Sequence, residues 1–188
     1  MAPKIKITKE NIIQASLDLI REGGAALSSA REIAARLGCS TQPIFSNFSS
    51  MEDLEKSVME AAYRVYLGFI NKEADSGKYP RYKAYGMGYI RFAKEEKELF
   101  RLLFMRQRDG EETEETEDFS LSVDYIVKAT GLDRERASLM HLEVWAAVHG
   151  IATMLATSFL PLEWELIEGM LSDVYLGLKH RHGEESDK

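Results

Sequence analysis

Apolar residues recur at every third or fourth position through most of this 188-residue chain and seldom alternate. That spacing matches a helix of about 3.6 residues per turn and not a strand, whose period is about 2. Only four prolines interrupt it. The implied fold class is all-α, with about nine helices once stop and start signals are marked.

Those signals divide the chain. Thr8 is placed to cap a helix through Ile12, Ile13, Leu17 and Ile20 that Gly23 and Gly24 end. Ser29 and Glu32 have capping-box spacing; Ile33, Ala34 and Leu37 then face inward before Gly38 stops the turn. Ser40 is predicted to cap a third helix. Ser50, followed by Glu52, Asp53 and Glu55, opens a fourth reaching about Ala74, its carboxylates suiting the positive helix end. Pro80 sits near the start of the next helix, which Gly86 and Gly88 are expected to loosen, and a division falls near Lys94 to Lys97. Residues 108–118, RDGEETEETED, lack any apolar side chain and suit a solvated loop, or a docking site for a basic partner. Further helices are expected from Phe119 to about Thr130, from an Asp133 cap to about Phe159, and from Glu163 to about Lys179.

The stretch GCSTQPIFSNF, residues 38–48, has the form of a turn and the second helix of a helix-turn-helix. Ile44 and Phe48, four apart, share an inward face. Thr41, Gln42, Pro43, Phe45, Ser46 and Asn47 then face outward, where Gln and Asn can pair with adenine and Thr and Pro can touch a thymine methyl. Lys4, Lys6, Lys9 and Arg31, with backbone amides near Ser40, would hold phosphates. The chain as a whole is acidic, with 24 Lys and Arg against 31 Asp and Glu. Residues 1–50 are the exception, carrying six cationic against four acidic side chains, and phosphates respond to the local field within about 8–10 Å.

The stretch from about Lys9 to Leu54, including LSSAREIAARLGCSTQPIFSNFSSMEDL, resembles the DNA-binding domain of TetR-family transcriptional regulators. YIRFAKEEKELFRLLF and, later, WAAVHGIATM with Trp145, His149 and Gly150 resemble the C-terminal domain of the family's Trp-His-Gly subgroup. The resemblance implies a three-helix helix-turn-helix domain over residues 1–50 and a larger helical domain for ligand and dimerisation over 51–188. Its departures are Phe45 for a common tyrosine, Met51 for a common lysine and Asn47 for a frequent histidine. The first two remove phosphate donors, which Lys56 or the N-terminal lysines would have to replace.

His141, Trp145 and His149 follow one another at i to i+4 on one helix face. The two histidines lie about 12 Å apart along the axis at about 1.5 Å per residue, too far for one ion bound at about 2.0–2.1 Å. Two readings stay open. Tyr85, Tyr89, Phe92, Phe104, Met140, His141, Trp145 and His149, with Phe100, Met105 and Met154, either line a cavity for a small apolar or amphipathic effector or fill a core. Ala156, Trp164, Ile167, Leu171, Val174, Tyr175 and Leu178 are the candidate dimer face, a four-helix contact across a twofold axis.

The expected function is a homodimeric repressor that binds a palindromic double-stranded operator and is released by an effector. The alternatives are a regulator controlled by a protein partner or by no effector, and an enzyme. The sequence offers no Gly-x-Ser-x-Gly elbow, phosphate-cradling glycine loop or His-Glu-x-x-His helix, and His141-Leu142-Glu143 lacks the downstream cysteine pair of a deaminase. No cofactor or catalytic residue is implied. A single cysteine, Cys39, excludes an internal disulfide, and without an apolar run of spanning length or a signal peptide a cytoplasmic location is expected.

Overall fold

The computed structural model describes residues 7–24, 29–106 and 117–184. Among them lie nine helices and no strand: α1 (Lys9–Gly23), α2 (Ala30–Arg36), α3 (Gln42–Asn47), α4 (Met51–Asp75), α5 (Arg81–Glu95), α6 (Lys97–Phe104), α7 (Glu117–Thr130), α8 (Arg134–Ala156) and α9 (Trp164–Glu184). Most of the acidic stretch, 108–116, falls outside the described residues. Packing groups the chain into two compact units, residues 1–68 with 95–106 and residues 69–94 with 107–188.

In the first unit the helix ends follow their caps. Thr8 and Asn11 form a reciprocal capping box at α1, Ser29 and Glu32 another at α2, and Gly24 closes α1 at φ 82°. Each box satisfies backbone donors that a helix start leaves unpaired. Ile12, Ile20, Ile33, Ile44, Phe48, Leu54, Leu99 and Phe100 are almost wholly buried. α6 joins this unit through Arg21, which donates from Nε and Nη2 to both carboxylate oxygens of Glu96 at 2.8 Å. Such a two-pronged contact fixes orientation as well as distance.

The second unit is organised around α5. Tyr82 meets His141 and Tyr89 meets His149, so α5 and α8 run parallel. On α9, Tyr82 faces Tyr175, Gly86 lies near Leu171 and Arg91 covers Trp164, so α5 and α9 run antiparallel. Gly86 and Gly88 do not loosen α5. A Cβ on Gly88 would stand 2.9 Å from Ile70 Cα and 3.0 Å from the Phe69 carbonyl, so this glycine permits close approach to the end of α4.

Two helix ends differ from expectation for physical reasons. α8 stops at Ala156, three residues before Phe159, because Ser158 adopts φ 56° and the Ser158 and Phe159 N–H groups close back on Leu155 and Met154 at 3.1 and 3.0 Å. No glycine marks that stop. α9 runs on past Lys179 to Glu184, and its last turn is held where His182, 1% exposed, meets Glu143 at 2.8 Å beside Arg181. α8 is long and apolar enough by length and composition to cross a membrane. Its Ala137, Met140, Val144, Val148, Ile151, Ala152 and Leu155 are instead buried within the unit.

Candidate nucleic-acid interface

α2, a five-residue turn and α3 form the helix-turn-helix. α2 ends at Arg36 with Leu37 as its cap, and Gly38 takes φ 65°, a conformation other residues adopt at a cost. The Cys39 N–H returns to Ala34 at 3.0 Å. Ile44 at 0% and Phe48 at 2% exposure anchor α3, as their spacing required. Gln42, Phe45 and Ser46 face solvent, with Thr41, Pro43 and Asn47 half-buried.

Ser40 does not cap α3. The cap position is Thr41, already helical in φ and ψ, and no side chain bonds the helix start. A capping oxygen normally receives the N–H of the second or third helical residue. Here the second is Pro43, which has none, and the third, Ile44, gives its N–H to the Thr41 carbonyl at 3.1 Å. No side chain, Ser40 included, receives an N–H at this helix start, and Ser40 stands exposed.

The outward polar side chains are not equivalent. Ser46 Oγ donates to the Gln42 carbonyl at 2.9 Å, and Asn47 Nδ2 donates to the Pro43 carbonyl at 2.8 Å. Both lie back on their own helix. Lys9 is exposed at the start of α1 with its ammonium 5.1 Å from the Phe48 ring centre, and Arg31 is exposed on α2. Lys4 and Lys6 lie outside the described residues. Lys56 pairs with Glu52 at 3.2 Å on the surface of α4.

The eight residues proposed for an effector are distributed over both units. Phe104 belongs to the first unit, against Tyr66 and Phe100. Phe92 and Met140 are 0% exposed, and Met140 packs with Val123, Ile126, Leu132 and Ala137. Tyr89 Oη lies 2.9 Å from His149 Nδ1, and the His149 ring stacks on half-exposed Trp145 at 5.1 Å and 13°. His141 takes Tyr82 instead, 2.8 Å from Nδ1, with Phe119 edge-on at 4.9 Å. Tyr85 meets Tyr125. Burial lowers the His149 pKa and brings that of His141 down to about 4, so both imidazoles are neutral and each can accept a phenolic proton. Sequence reasoning passed over Tyr82 and Tyr125. Tyr82, Tyr85 and Tyr89 at helical spacing were the available signal for the first.

Of the residues proposed for a dimer face, Ala156, Ile167 and Leu171 are buried within the unit, and Trp164, Val174, Tyr175 and Leu178 are half-buried. Large apolar side chains exposed on these two helices include Leu139, Leu142 and Trp145 on α8 and Leu166 and Leu176 on α9.

Residues 12–58 match a family model described as bacterial regulatory proteins, tetR family, and residues 82–172 match one described as tetracyclin repressor-like, C-terminal domain. No curated protein matches the chain. A solved structure titled as a TetR family protein from Vibrio parahaemolyticus shares the fold, with TM-score 0.59 and 19% identity over 90% of this chain and 97% of its own. With a helix-turn-helix where the first model lies and a separate helical unit around the second, this chain belongs to the TetR family of bacterial regulatory proteins.

Proposed function

We propose that the protein is a homodimeric repressor that binds a palindromic operator through α3 and releases it when a small molecule binds the second unit. The observation that carries this reading is α3 itself: its apolar residues Ile44 and Phe48 are buried, and Gln42, Phe45 and Ser46 are turned to solvent. The functional division runs near residue 50, with DNA contacts before it and effector and dimer contacts after it, and the compartment is the cytoplasm. A dimer would cover exposed Leu139, Leu142, Leu166 and Leu176, and Gly150, Gly169 and Gly177 on the same two helices have open space that would admit a second helix. The effector would be apolar or amphipathic, meeting the neutral Tyr-His pairs between α5 and α8. It acts only if it favours one of two arrangements, and α4, whose residues divide between the units, is the element both would share.

The test is selection of a preferred duplex from a random library, followed by mobility shift with Gln42→Ala. A lost bidentate adenine contact weakens binding by about 1–3 kcal/mol per half-site and relaxes preference at one base. Unchanged affinity and preference in Gln42→Ala would remove that contact from the reading.

A further inference from the structure

We infer that α3 reads its operator chiefly through a thymine methyl group, with Phe45 as the reading side chain and Gln42 on the adjacent base pair. This rests on the reading of α3 as the DNA-contacting helix. Phe45 is 52% exposed, a large apolar ring held in water on a helix whose packing is supplied by Ile44 and Phe48. Its ring has no hydrogen-bonding atom. In the major groove the apolar feature that distinguishes one base pair from another is the thymine methyl.

The polar neighbours narrow the choice further. Ser46 spends its hydroxyl proton on the Gln42 carbonyl, and the amide of Asn47 is turned inward to the Pro43 carbonyl. A bidentate adenine contact from Asn47 would require that bond to break. Gln42 is exposed and makes no such bond to its own helix, so it is the side chain ready to pair with adenine. Gln42 and Phe45 are three apart on one face, about 4.5 Å along the axis at about 1.5 Å per residue. That displacement is close to one base-pair step, about 3.4 Å. The half-site is therefore expected to carry an adenine beside a thymine under the middle of α3.

The experiment uses the full chain and the duplex selected above, with each thymine replaced in turn by deoxyuridine. The exchange removes one methyl and leaves every base-pairing group in place. For the unaltered protein, replacement at one thymine position should weaken binding about fourfold for each half-site altered, the worth of one buried methyl. Phe45→Ala, which loses the contact in both half-sites of the dimer, should bind the thymine duplex about sixteenfold less tightly and lose all sensitivity to the exchange. Because Phe45 is half-exposed, the variant should keep its helical circular dichroism and melting profile, which is checked first. Indifference of the unaltered protein to every replacement overturns the inference. So does a uridine penalty that persists in Phe45→Ala, which would assign Phe45 to sugar or phosphate packing. In either case enrichment of a specific duplex leaves DNA reading by α3 intact, whereas failure to enrich any duplex removes that reading and this inference with it.

Discussion

The helix-turn-helix and the helices of the second unit hold their polar side chains differently. Around α1 to α3 the bonds are mostly local: Thr8 with Asn11, Ser29 with Glu32, Ser46 with Gln42, Asn47 with Pro43. Around α5, α8 and α9 they reach across the chain: Tyr82 to His141, Tyr89 to His149, Lys83 to Ser172, His182 to Glu143. Local bonds shape each short helix and leave its outer face open, which suits a surface that meets a ligand as large as DNA. Long-range bonds fix one helix against another and hide the polar groups, which suits an element whose arrangement must be definite.

The largest expected effect breaks the helix contact in the second unit at its tightest point. Gly88→Ala places a methyl 2.9 Å from Ile70 Cα and 3.0 Å from the Phe69 carbonyl, both backbone atoms that no side-chain rotation can clear. The overpacking should cost about 1–3 kcal/mol and outweigh the gain of up to about 1 kcal/mol that alanine brings to a helix. Gly68→Ala in α4 has open space around it, so the gain alone remains and stability should rise. Thermal unfolding of both variants checks the sign of each; a rise for Gly88→Ala would mean the α4 and α5 backbones are not held together at that distance.

Proton binding separates the units next. All four histidines, 141, 149, 180 and 182, and both tryptophans, 145 and 164, lie in the second. His141 titrates near 4 when folded, from burial against Tyr82 and Phe119, with Tyr175 behind Tyr82, and near its ordinary value of about 6.5 when unfolded. The unfolded chain thus binds more protons between those values. Stability from neutral His141 is complete above about pH 6.5 and is lost as pH falls toward 4. Urea unfolding followed by tryptophan fluorescence should show a steeper fall from pH 7 to 5 in the unaltered protein than in His141→Gln. The carboxylates contribute to both alike, so parallel curves would show that His141 is not desolvated in the fold.

The same contrast explains what could be read in advance. Caps at Thr8 and Ser29, the inward pair Ile44 and Phe48, the break between α5 and α6 and the presence of each helix follow from signals within a few residues. The Tyr82 to His141 pair joins residues 59 apart, and no local rule names a partner at that distance. The face of α9 that meets a partner is hard to choose for a related reason. Ile167 and Leu171 fit an apolar stripe, but whether a stripe meets its own chain or a second one depends on packing, and α5 already occupies this one beside Gly86. Ser40 was misread because a serine after a glycine stop is a common cap, while the proline that makes it redundant sits three residues on.

That last point yields the smallest effect and a useful probe. Ser29→Ala removes an oxygen that receives the Glu32 N–H, and should cost about 1 kcal/mol, within the range of about 0.5–2 for lost caps. Ser40→Ala removes a hydroxyl from an exposed position where Pro43 and the Thr41 carbonyl already settle the start of α3, and should change stability by less than about 0.5 kcal/mol. Far-ultraviolet circular dichroism melts distinguish the two, and equal losses would show that Ser40 caps α3 after all. If Ser40→Ala is silent in folding, any change it makes in affinity for the selected duplex is a contact to DNA and not a disturbed helix. Ser29→Ala cannot be interpreted in that way, because it loosens α2 as well.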